Sequence, residues 1–208
     1  AALGALLVLK GLVAKDTSTA RAVVVALHLI NTLGLVAGGA LTAWWSRERE
    51  RSSGNRVHNG FLITVIVGLV LVGASGAITA LGDTLFPVPV VEGAGLFATI
   101  VEDISVAQHF LVRLRVVHPI LAVLVGFFIL VWGLTVERRT QSGSLGYLAN
   151  ALVWSVALQL MLGVLNVLLH APGWMQIVHL LVADLVWVVA ILTCAEARDQ
   201  TVVEAAAT

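Results

Sequence analysis

The chain has 208 residues, 59% of them hydrophobic and 12% charged, with a formal net charge of zero and a mean hydropathy of +1.00. Soluble domains carry about 25% charged residues, so this composition excludes an ordinary soluble domain and defines a protein of the lipid bilayer. No basic excess marks a nucleic-acid footprint, and one cysteine, Cys194, leaves no intrachain disulfide or thiolate cluster.

A hydrocarbon core of about 30 Å needs about 20 helical residues. The first apolar segment, Ala1 to Leu9, is shorter than that and runs into Lys10 and Lys15. There is no initiator methionine and no signal-peptide layout. The segment is therefore expected to be the end of a transmembrane helix that begins upstream, the alternative being a short re-entrant or interfacial piece. Residues 22–45 form a charge-free run that contains His28, and residues 46–59 follow as a linker with Arg47, Arg49, Arg51 and Arg56. Residues 60–82 are again free of charge. The connection from Asp83 to Gln108 has no Lys or Arg but holds Asp83, Glu92, Glu102 and Asp103. Its stretch from Val88 to Val106 is expected to form a short amphipathic helix. Residues 116–136 carry only His118, residues 144–170 end on His170, and residues 173–195 carry His179 and Asp184. A tail, 196–208, closes the chain.

Basic loops stay on the cytoplasmic side of a membrane. The linker after residue 45 and the turn with Arg138 and Arg139 are therefore placed inside, and the acidic connection and the His170–Trp174 turn outside. Lys10, Lys15 and Arg21 dissent mildly. The C-terminus is then cytoplasmic, in a multi-pass plasma-membrane topology. At 1.5 Å per residue, His28, His118 and His179 each lie roughly 9–10 Å inside the outer boundary. An ionisable side chain inside a membrane is a functional hypothesis in itself, and imidazole is the usual axial ligand of haem iron. A lone histidine in an apolar helix is more often a packing residue; three at one depth point instead to ligands of one buried plane. No Cys, Asp or Glu joins them at that level to make a zinc site. A proton relay usually draws on carboxylates as well.

The chain also echoes itself. Residues 3–12 and 28–45 resemble residues 162–170 and 179–193, which aligns Gly4 with Gly163 and His28 with His179. As a structural hypothesis, the echo divides an all-α, polytopic membrane bundle into two pseudo-symmetric four-helix halves. Residues 1–45 belong to a first half that is incomplete in this chain, and residues 60–195 form the second.

Several stretches carry a family resemblance. They are ALHLINT with LTAWW (26–32 and 41–45), ALGDTLFP (80–87), HFLVRLRVVHP (109–119) and APGWMQIVHLLVADLVW (171–187). Through them the chain resembles the heme A synthase family over essentially its whole length. The resemblance implies eight transmembrane helices in two pseudo-twofold bundles. It implies that a methyl group of heme O is oxidised to the formyl of heme A. His118 and His179 are then the axial pair of a haem b in the second half, acting as an electron carrier, and His28 is a ligand on the substrate-haem side. The family's glutamate before a histidine in its first outer loop has no counterpart here, so the catalytic carboxylate is expected upstream of Ala1. The cysteine pair that some members hold in the acidic connection is also absent. The implied partners are a heme O synthase (protohaem farnesyltransferase) and an electron acceptor, with a homo-oligomer left open. The implied location is the bacterial plasma membrane, with the haem sites toward the outer leaflet.

Other residues are weighed against these. Arg115, three positions before His118, shares its helix face and suits a haem propionate; interfacial anchoring, as for Arg113, is the equal alternative. Pro119 either kinks this helix or marks its start. Gln176 stands three residues before His179, to bond a propionate or the ring, or to cap the helix. Asn31 stands one turn beyond His28, to orient that ring or to pack. Asp184, near mid-membrane, is expected to face the bundle interior and meet a polar partner such as Asn166 or Gln159, or to be protonated. His58 is expected in solvent, and His109 at the outer surface near the haem edge. Gly34 and Gly38 on one helix, and Gly68, Gly73 and Gly76 on the next, permit close helix approach or make room for a porphyrin. The rival readings are a non-catalytic haem b electron-transfer subunit of a respiratory or photosynthetic complex, and a structural subunit whose histidines merely pack.

Overall fold

A computed structural model describes residues 2–13, 16–46, 59–87, 105, 108–139 and 143–207. The helices are α1 (Ala2–Leu9), α2 (Thr19–Trp45), α3 (Asn59–Leu85), α4 (Phe110–Leu114), α5 (Val117–Arg139), α6 (Ser144–Leu168) and α7 (Gly173–Ala207). Among the described residues there are no strands. Five spans are long and apolar enough to cross a membrane: Thr19–Trp45, Gly60–Leu85, Phe110–Arg138, Ser144–Leu168 and Gly173–Asp199. They match the five full-length segments expected from the sequence, with shifted ends. The arginines of the first linker and the expected helix over 88–106 lie outside the described residues, apart from Ser105.

Local chemistry sets the helix ends. Ser18 caps α2 by accepting from the Arg21 N–H at 3.2 Å, and its own N–H donates to Asp16 at 2.6 Å. The Ser18 hydroxyl and N–H beside Asp16 hold its carboxyl below the usual carboxylate range. This support for the turn is therefore present at neutral pH and lost as the pH falls through that lowered value. Pro87 ends α3, because the residue before a proline is pushed out of the helical region. The chain breaks at Arg115 and Val116, between α4 and α5. Pro119 therefore falls in the first turn of α5, where a missing N–H removes no helical bond. The α6–α7 turn passes through His170 and Ala171, at φ 58° and 53°. The Ala171 N–H closes it on the Asn166 carbonyl at 2.8 Å. The last helix does not stop at residue 195 but continues to Ala207.

Helices α3, α5, α6 and α7 close a four-helix bundle. Each packs on its two neighbours around the ring, so α5 and α7 stand on a diagonal. α2 lies outside, against α3 and α7, and α1 lies against α2. The Trp187 indole N–H joins α7 to α2 by donating to the Leu33 carbonyl at 2.9 Å. Lipid offers no hydrophobic drive between helices, so small residues and close packing carry the contact. A Cβ at Gly133 would stand 2.7 Å from Val153, one at Gly126 3.0 Å from Leu160, and one at Gly68 2.9 Å from Val125. The Gly34 and Gly38 pair on α2 has no neighbour within 4 Å of such a Cβ, so that face is not a packing seam among the described residues.

Two apolar clusters bracket the bundle. One centres on Val65, Ile129, Leu152 and Ala190. The other, at the opposite end, centres on Ala22, Leu81 and Leu111. The histidine level lies between them.

Candidate functional site

His118 on α5 and His179 on α7 face each other across the diagonal of the bundle. Their ring centroids are 6.5 Å apart and their planes are perpendicular. The spans Phe110–Arg138 and Gly173–Asp199 begin at the same end, so His118, eight residues into the first, and His179, six residues into the second, reach about one level. An imidazole–metal bond of about 2 Å on each side, with each ring centre roughly 1 Å behind its nitrogen, gives a separation of about 6 Å. The observed pair already stands near that spacing.

Each ring has a glycine seat. A Cβ at Gly76 on α3 would stand 3.0 Å from Cε1 of His118, and one at Gly163 on α6 would stand 3.4 Å from Cε1 of His179. Each also has a polar neighbour. Ser75 Oγ lies 3.1 Å from His118 Nδ1. The Gln159 amide nitrogen lies 3.1 Å from His179 Nε2 and 3.3 Å from its Nδ1. The Gln159 carbonyl oxygen is buried with no hydrogen-bond partner among the described residues. Sequence reasoning passes over Ser75, and it names Gln159 only as a partner for Asp184. The available signal is depth: Ser75 lies about as far from the end of α3 as His118 lies from the start of α4.

His28 repeats the theme on α2. A Cβ at Gly4 would stand 3.3 Å from its Cε1, as at Gly163 and His179, the positions that the internal echo aligns. His28 Nδ1 is buried without a hydrogen-bond partner among the described residues. Asn31 is exposed and is not brought to the ring; Thr32 bonds the His28 carbonyl at 3.0 Å instead.

Two expected haem-edge residues are held by their own chain. Arg115 pairs with Asp83 at 2.6 Å and donates to the Phe86 carbonyl at 2.6 Å, fastening the end of α3 to the α4–α5 break. Gln176 donates to the Ala171 carbonyl at 2.7 Å and so braces the turn before α7. His109 caps α4, accepting from the Leu111 N–H at 3.3 Å, and stacks on Phe86 at 4.8 Å. Asp184 corrects an expectation. It does not face the interior or meet Asn166 or Gln159 but lies exposed on α7, in one stripe with Ile177, Leu181 and Leu185. At about 100° per residue it stands far around the helix from His179, while Met175, Val186, Trp187 and Ala190 take the buried face. The phase of the apolar packing overrides the pull of one carboxyl toward a polar partner.

Among the described residues no three of His, Cys, Asp and Glu converge; the donor set at the bundle centre is two imidazoles. Two imidazoles with ring centroids 6.5 Å apart fit the axial positions of a haem. The glycine seats and the unpartnered Gln159 oxygen fit it as well. The two seats give a graded test. Gly76→Ala is expected to displace the His118 ring and, if the pair takes haem, to weaken binding of added haemin at least tenfold. Gly163→Ala, which makes only an ordinary contact, is expected to change it less than threefold. Titration of purified protein with haemin reads both.

This arrangement defines a multi-pass α-helical membrane protein that presents paired histidines within a four-helix bundle. The chain belongs to the family described as "Cytochrome oxidase assembly protein", whose model matches residues 1–191. This is the heme A synthase family that the sequence stretches resemble. Among curated proteins it is similar to two named "Protoheme IX farnesyltransferase", from two strains of Thermus thermophilus. It is 42% identical to one and 41% identical to the other, over 199 residues in each case. Each alignment covers 95% of this chain and 32% of the relative, so the chain spans about a third of the length of the curated relatives it matches. No solved structure matches it.

Proposed function

We propose that the chain is the heme A synthase-like part of a membrane oxidoreductase that converts the methyl group of heme O to the formyl of heme A. The observation that carries this reading is the His118–His179 pair, 6.5 Å apart across a bundle, within a chain of this family. His118 and His179 would hold a haem b. With both axial positions filled, such a haem supplies electron transfer rather than oxygen binding. That suits an oxidation that must pass electrons to an acceptor. The protein's own part is to seat the rings on Gly76 and Gly163 and to close both ends of the bundle with apolar side chains. His28, with its unpartnered Nδ1, is proposed as a ligand on the substrate-haem side. The name of the two Thermus relatives supports a working partnership with a protohaem farnesyltransferase, the class of enzyme that would supply heme O. The loop charges support a site toward the outer leaflet of a bacterial plasma membrane.

A second reading, a non-catalytic haem b electron-transfer subunit, is favoured by one observation: His28 meets no other histidine or carboxylate among the described hydrogen bonds. Extraction of pigments from protein purified from membranes separates the two. Heme A or heme O beside haem b is the expected result. Haem b alone would select the second reading, and a colourless protein would overturn both.

A further inference from the structure

We propose that Ser75 is the positioning residue of His118 and fixes which of its ring nitrogens carries the proton. This inference rests on the haem reading above for its purpose, but not for its geometry. Ser75 Oγ lies 2.9 Å from the Val72 carbonyl on its own helix and 3.1 Å from His118 Nδ1. A hydroxyl has one hydrogen to give and two lone pairs to receive. The carbonyl can only accept, so the Ser75 hydrogen goes to Val72. Toward the ring, Oγ then offers a lone pair, and Nδ1 meets it as an N–H donor. A neutral imidazole with its proton on Nδ1 keeps its lone pair on Nε2, and no described hydrogen bond engages Nε2. One turn of α3 thus supplies both the seat, Gly76, and the acceptor, Ser75.

The second ligand is dressed differently. His179 faces the amide nitrogen of Gln159, a donor group, and has no described acceptor behind it. A histidine whose distal N–H is held by an acceptor is a more basic, better-oriented ligand, and loss of such a partner typically weakens metal binding about 10- to 100-fold. The two ligands of the pair are therefore unequal, with His118 the pre-set one.

The test uses the full chain in detergent, with nitrogen-15 in its histidines and the His118 signals assigned by their loss in His118→Gln. In the metal-free protein, His118 is expected to be protonated at Nδ1. Ser75→Ala is expected to give a mixture of tautomers, and Ser75→Thr, which keeps the hydroxyl, to retain the Nδ1–H form. After loading with haemin, Ser75→Ala is expected to keep a low-spin spectrum, to lose haem at least tenfold more readily and to show a raised midpoint potential, because a less basic ligand favours the reduced iron. Ser75→Thr should stay near the wild-type values. A wild-type His118 protonated at Nε2 would overturn the proposal. So would an unchanged tautomer in Ser75→Ala. A chain that binds no haemin would overturn the haem reading and leave the tautomer measurement to decide on Ser75 by itself.

Discussion

In protein loaded with haemin, replacing either His118 or His179 by alanine is expected to abolish the low-spin spectrum that the proposed bis-histidine site gives. A six-coordinate haem with two imidazoles is low-spin because both axial nitrogens bind; with one removed, the iron becomes five-coordinate or takes water. The bundle offers no substitute. No third His, Cys, Asp or Glu converges there among the described residues, and Gln159, which meets His179, presents its amide nitrogen. Either variant should therefore convert the optical and electron-paramagnetic-resonance spectra to high-spin forms and weaken haem retention more than tenfold. His109→Ala is the matched control. That ring caps α4 and stacks on Phe86, so its loss should cost roughly 1 kcal/mol of local stability, as for other caps, and leave the spectrum in place. A low-spin spectrum that survives in His118→Ala or in His179→Ala would remove that residue from the ligand pair.

Much of this site is legible in the sequence because depth is a one-dimensional property. Counting residues from the helix ends places His28, His118 and His179 at one level, and the folded chain brings two of them face to face. The Gly4–His28 and Gly163–His179 contacts are likewise visible as aligned pairs in the internal echo. Direction around a helix is harder to read. In a span where nearly every residue is apolar, periodicity does not say which face is buried, and polarity alone turns Asp184 inward although its stripe faces out. Partners distant in the chain are harder still. Spacing sets Arg115 against its neighbour His118, three residues away, but its carboxylate comes from Asp83, at the end of another helix. Nothing in the spacing within either helix announces that meeting. The break at Arg115 and Val116 follows from the same contacts, and it settles the two roles open to Pro119: the proline stands in the first turn of a new helix and does not kink an old one.

Asp83→Ala is expected to destabilise the protein by about 3 kcal/mol, the lower end of the range for removing one partner from a buried ion pair. The Arg115 and Asp83 side chains are only 13% and 10% exposed, so solvent replaces the lost carboxylate only in part. The Phe86 carbonyl continues to accept from Arg115 but carries no compensating charge. The loss falls at a joint. α3 ends here, α4 is a single short turn of helix, and Gly82 packs so tightly on it that a Cβ would stand 3.0 Å from the Leu111 carbonyl. Freed of the ion pair, the α4–α5 break can shift along α3 and carry His118, three residues on, away from its seat on Gly76. The variant should therefore show its defect twice, as a lower midpoint in denaturant unfolding of the detergent-solubilised protein and as a broadened low-spin signal after loading with haemin. Arg115→Leu combined with Asp83→Leu replaces both charges with apolar groups of similar bulk and is expected to recover most of the stability. It should not recover the narrow signal, because two leucines fasten the joint without the directional grip of a guanidinium on a carboxylate. Stability within about 0.5 kcal/mol of the wild type in Asp83→Ala, the scatter of an ordinary surface substitution, would show that the pair fastens nothing. Recovery of the signal along with stability in the double variant would show that packing alone sets the position of His118.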